Sequence, residues 1–91
     1  LASRELEELL LTLLEPGVFK TTGQLVQEFR MEFPQRWREL EKEGRRLYGG
    51  SCGAYQQPAT RIVQALYNLP PDKCLRRREE NGYIWSAPPP T

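Results

Sequence analysis

The sequence predicts a mainly α domain closed by a small β-hairpin, an α+β arrangement. Three observations predict it. Leucines recur at helical spacing in the opening stretch "SRELEELLLTLLEPG". Thr21 and Gln24 then form a reciprocal capping pattern ahead of a second periodic run. Near the end, Asn81-Gly82 separates two stretches that read as strands.

The elements follow in order. In the first helix Leu6, Leu9, Leu10, Leu13 and Leu14 make the apolar stripe. Ser3 is the expected N-cap, Glu5 sits in the first turn, and Pro16-Gly17 ends the helix. Val18 to Lys20 fits a short extended piece. The second helix starts from Thr21 and turns Leu25, Val26, Phe29 and Phe33 inward. Pro34 disfavours helical geometry at Phe33, so a break is expected there.

A third helix starts at Pro34 or Gln35. Trp37, Leu40, Gly44 and Leu47 share one face, and Glu41 supports Arg45 at four-residue spacing. Its other charges are mixed in sign, as on a solvated face. Gly49 and Gly50 close it. The following "GGSCGAY" reads as a flexible loop. The next helix is expected to begin near Pro58, a residue favoured in a first turn, with Ile62, Val63, Leu66 and Leu69 inward. "NLPPD" stops it. Strands Lys73–Glu80 and Tyr83–Ala87 follow, joined by an Asn81-Gly82 turn that would pair Arg78 with Trp85. Residues 1–87 are read as one domain and 88–91 as a proline-rich tail, either a linker stub or a ligand for an aromatic groove.

Bulk properties narrow the function classes. At 91 residues the chain is one domain or most of one, with a thin core and little room for a deep enzyme pocket. It opens on Leu, directly in a helix pattern, which suggests a domain cut from a longer protein. No apolar run is long enough to cross a membrane and no secretory signal pattern is visible. An intracellular setting, cytoplasmic or nuclear, is expected. Cys52 and Cys74 read as two reduced thiols, with a single bridge as the alternative.

Catalysis finds little support. The chain has no His, and hence no ready base near neutral pH. Ser51 and Cys52 lie in the glycine-rich stretch without an adjacent base. "YGGSCG" lacks the Gly-Lys-Ser/Thr ending of a phosphate-cradling loop. The carboxylates belong mainly to helix surfaces. A non-catalytic module without cofactor or metal is the expectation.

Charge is polarised along the chain. Residues 1–43 carry six basic and nine acidic side chains, a balance of −3. Residues 44–91 carry seven against three, a balance of +4, so the chain totals +1. Such a domain can offer one positive face to a polyanion.

The order of helix, short strand, helix, extra helix, helix and hairpin resembles the winged helix-turn-helix domain. "FKTTGQLVQEF" is similar to the strand and opening helix of that motif. "QQPATRIVQALYNLP" is similar to its recognition helix, and "KCLRRREENGYIWSA" to its wing. The chain departs from the pattern between Pro34 and Tyr55, where a helical insertion replaces a short turn. The resemblance implies either duplex DNA binding or service as a protein-docking module.

Specific side chains would serve duplex DNA binding. Gln57, Thr60, Arg61, Gln64 and Asn68 are expected on the polar side of the recognition helix, with Tyr55 just ahead. Glutamine can pair with adenine and arginine with guanine in a major groove. Lys73, Arg76, Arg77 and Arg78 would meet phosphates or a minor groove, although Glu79 and Glu80 stand beside them. The polar helix residues also suit plain solvation, and the arginines also suit an edge that blocks aggregation. Tyr83 and Trp85 share one strand face. Turned outward, with the proline tail, they would form a protein-docking or RNA-stacking patch; turned inward, they would anchor the wing.

Overall fold

The computed structural model describes residues 1–90. The element order is α1 (Ser3–Leu13), β1 (Lys20–Thr21), α2 (Thr22–Glu32), α3 (Pro34–Tyr48), α4 (Cys52–Tyr67), β2 (Leu75–Glu79) and β3 (Gly82–Ser86). The three strands form one antiparallel sheet in the order β1-β3-β2. Mainly helical, with a hairpin extended by one short strand, this is the α+β, winged-helix-like arrangement that the sequence predicts. Thr91, the last residue of the expected tail, lies outside the described residues.

Local chemistry accounts for several boundaries. The Gln24 backbone N–H donates to Thr21 Oγ1 at 3.1 Å, and Gln24 Oε1 accepts from the Thr21 backbone N–H at 2.8 Å. The capping box therefore satisfies two donors at once at the start of α2. Pro34 occupies the first turn of α3, and Phe33 is the single residue between α2 and α3. Gly49, with φ of +62°, ends α3. Ser3 does not cap α1: the helix already includes it, and Ala2 holds the capping position without a side-chain bond.

The largest departure is the start of α4. The helix begins at Cys52, so most of the expected loop is helical and Pro58 lies inside the helix. Tertiary packing overrides the local signals. Pro58 has no N–H to offer the carbonyl one turn earlier, that of Ala54. That carbonyl lies against Gly44 of α3, where an added Cβ would stand 2.4 Å from its oxygen. The two helices approach this closely because residue 44 has no side chain.

The core joins all four helices to the sheet. Leu6, Leu10, Leu25, Phe29, Leu40 and Ile62 are completely buried, and Trp85 is 1 % exposed. Val63 and Leu47 do not join it as expected: Val63 is half-buried and Leu47 exposed. Among the described residues no helix is long and apolar enough to cross a membrane.

Lys20 is an unexpected core cation. Its Nζ donates to the Leu13 carbonyl at 2.7 Å and pairs with Glu15 at 2.6 Å and Glu28 at 2.8 Å. It thereby fastens the end of α1 to β1 and α2. Burial pulls its pKa down, but the two carboxylates outweigh burial and hold it above the usual value.

Candidate nucleic-acid interface

Two of the residues expected to read bases are engaged inside the protein. Gln57 is 8 % exposed and donates through Nε2 to Glu43 at 2.8 Å. Arg61 donates through Nη1 to both Glu43 oxygens, at 2.6 and 2.8 Å, and through Nη2 to the Leu1 carbonyl at 2.9 Å. Its side chain is 15 % exposed. The expectation that Gln57 and Arg61 face solvent is therefore corrected. The helical insertion α3 covers that side of α4, and Glu43 supplies the acceptors. Burial pushes the Glu43 carboxyl up, but Gln57 and Arg61 outweigh it and hold it below the usual carboxylate range.

The rest of the expected set lies at the surface. Thr60, Gln64 and Asn68 are exposed, and Tyr55 is 83 % exposed. Gln56, next to the buried Gln57, is also exposed. Three- and four-residue steps put Gln56, Thr60, Val63 and Tyr67 along one face of α4, with Gln64 beside them. Tyr55, Gln56, Ala59, Thr60, Val63 and Gln64 line one shallow groove there.

The β2–β3 hairpin, the wing of this winged-helix-like arrangement, exposes Arg76, Arg77 and Arg78, while α3 exposes Arg38, Lys42, Arg45 and Arg46. Leu75 pairs with Ser86, Arg76 with Trp85, Arg77 with Ile84, Arg78 with Tyr83 and Glu79 with Gly82. The turn is consequently Glu80-Asn81, not Asn81-Gly82, and Arg78 does not oppose Trp85. Trp85 also pairs with Lys20 of β1, so the sheet's third strand takes part in the register that the hairpin adopts. The shift is two residues, which leaves each side chain on its expected face.

Both faces of β2 present arginine. Arg76 and Arg78 hold their guanidinium groups over the two-way-shared ring of Tyr83, at 5.2 and 5.6 Å from its centroid. On the other face Arg77 lies over Phe19 at 4.7 Å and pairs with Glu79 at 2.9 Å. Among the described residues neither Arg76 nor Arg78 pairs with a carboxylate. Lys73 is exposed in the turn before β2.

Aromatic rings join helix to wing. Tyr67 of α4 meets Tyr83 edge-on at 5.6 Å and Trp85 at 5.7 Å. The C-terminal end of α4 therefore meets, through Tyr67, the Tyr83 ring that lies beneath Arg76 and Arg78. Trp85 itself turns inward, with its indole N–H donating to Thr22 Oγ1 at 3.0 Å. It anchors the wing, which corrects its candidacy as a docking residue. Tyr83 is half-buried beneath the arginines.

A second cleft, of about 390 Å³, lies where α2, α3 and α4 meet. Arg30, Trp37, Arg45, Tyr55 and Pro58 line it, with the Arg30 guanidinium 5.4 Å from the Trp37 ring centroid. Helical spacing puts Trp37, Glu41 and Arg45 on one face of α3, but the α4 side of the cleft depends on residues 52–57 being helical, which the local signals do not announce. Cys52 and Cys74 are both free, the first exposed and the second buried. Burial pushes the Cys74 thiol up. Among the described residues no three His, Cys, Asp or Glu side chains converge as metal ligands.

The four helices and the three-stranded antiparallel sheet make a small α+β domain of winged-helix-like arrangement, with α3 packed against α4. Comparison of the chain with protein-family models, curated proteins and solved structures gives no match.

Proposed function

We propose that the chain binds duplex DNA, with α4 in the major groove and the wing on adjacent phosphates. The observation that carries this reading is the Tyr67–Tyr83 contact, which joins the last turn of α4 to the ring over which Arg76 and Arg78 hold guanidinium groups unpaired with any carboxylate among the described residues. Thr60, Gln64 and Gln56 face the bases. Tyr55, Asn68 and Lys73 stand at the edges, within the reach of backbone contacts. Gln57 and Arg61 leave the contact set and hold α4 against α3. Arg77 contributes less than its neighbours because Glu79 neutralises it.

The test is a titration of the full chain with a short duplex over a range of salt concentrations. Binding should weaken steeply with salt. Replacing Arg76 and Arg78 together by Ala should weaken it further and flatten the salt slope by about two phosphate contacts. Absence of duplex binding at low salt would sink the proposal.

A second reading, docking of a protein on the same face, is favoured by the exposed Tyr55 ring beside Ala59 and Val63. In that case a Tyr55→Ala variant would lose a co-purifying partner, and added salt would change the affinity little.

A further inference from the structure

We infer that the outward face of α4 prefers A·T over G·C base pairs, an inference that rests on the duplex-binding reading above. Guanine presents two acceptors in the major groove, and the side chains that match them are Arg and Lys. Arg61 is the one cation between Cys52 and Tyr67, and both its Nη atoms are already taken by Glu43 and the Leu1 carbonyl. Cytosine presents an amino donor that suits a carboxylate, and α4 contains no Asp or Glu. The helix therefore turns neither of the charged groups that read a G·C pair toward a duplex.

What it does turn outward complements A·T. Gln56 and Gln64 each carry a carboxamide, which donates and accepts at once and so matches the N6 donor and N7 acceptor of adenine. Ala59, Val63 and the methyl group of Thr60 lie in the same shallow groove, where the C5-methyl of thymine would make apolar contact. The clasp on Arg61 is thus a specificity device as well as a structural one: it withdraws the guanine reader and leaves amides and methyl groups in place. Arg76 and Arg78 add affinity for phosphate irrespective of sequence.

The experiment titrates the full chain, at one low salt concentration, with three duplexes of equal length. The first has an A·T centre, the second a G·C centre, and the third replaces each thymine of the first by uracil. The A·T duplex should bind about tenfold more tightly than the G·C duplex, with the uracil duplex between them. The Gln56→Ala/Gln64→Ala variant should bind the A·T duplex no better than the G·C one. Both glutamines are exposed, and a thermal melt verifies that this variant folds. Equal affinity of the parent chain for A·T and G·C duplexes overturns the inference and leaves duplex binding standing. A preference that survives both uracil and the double substitution also overturns it, since groove shape would then be what is read. Failure to bind any of the three overturns the duplex reading itself and this inference with it.

Discussion

Glu43 shows how one carboxylate redirects the meaning of a helix face. Its two oxygens accept from Gln57 and Arg61, residues 14 and 18 positions away. On α4 alone, a glutamine and an arginine four apart look the same whether they meet water, a base or a carboxylate. Their partner is distant in sequence, so periodicity could not reveal it. Replacing Glu43 by Ala strands a guanidinium and an amide in a mostly buried setting. It should cost about 2 kcal/mol in a denaturant melt. The folded pKa is depressed, so the clasp contributes fully above the ordinary glutamate value and is lost as pH falls through the lowered one. Acid melts of the parent chain should therefore steepen below about pH 4.3, the unfolded glutamate value, and the Glu43→Ala variant should lack that component. Lys20 works in the opposite direction. Its pKa is raised, so its contribution is complete below about pH 10.4 and disappears as pH climbs through the raised value.

At the level of elements, the pairing of α3 with α4 was the part hidden from the sequence. Pro58 is favoured in a first helical turn, and glycines precede it, so the local signals place the start of α4 too late. What makes residues 52–57 helical is contact with α3, where Gly44 admits the Ala54 carbonyl. Gly44→Ala should force the helices apart and destabilise the protein by about 1–3 kcal/mol, measured by thermal unfolding. Within a solvated helix the same change would stabilise, so the sign of the shift tests the packing. The opposite case is α2. Its capping box lies within four consecutive residues and was legible from them alone. The wing was legible as a hairpin, yet its register was not, because Trp85 answers to Lys20 of β1 as well as to β2. For the wing itself, the Arg77→Ala variant should weaken duplex binding less than Arg76→Ala or Arg78→Ala at equal salt. An electrophoretic titration of the three variants checks this ordering.

For the molecule as a whole, the fold class could be read from the sequence because helix stripes, capping and turn residues are short-range signals. The candidate site was only partly legible, since it depends on rings from two elements meeting: Tyr67 of α4 against Tyr83 of β3, with the buried Trp85 behind them. Strand alternation put Tyr83 and Trp85 on one face but carried no information about whether that face closes the core. The Thr22 hydroxyl that receives the Trp85 N–H is 63 residues away. Removing the indole by Trp85→Ala should cost about 3–5 kcal/mol and loosen the wing along with the core. Trp85→Phe keeps most of the ring's packing, loses the hydrogen bond to Thr22, and should cost less. Comparing the two by denaturant melts separates ring volume from the bond.

The strand order has a consequence for synthesis. β3 is the central strand, yet it follows both β1 and β2 in the chain. A ribosome therefore delivers the two outer strands before the one that bridges them. A nascent chain that has emerged only as far as Asn81 has no partner for either edge and leaves the indole's place in the core vacant. The helices can gather early, but the arginine-bearing ribbon acquires its final shape only when the last strand threads between its neighbours.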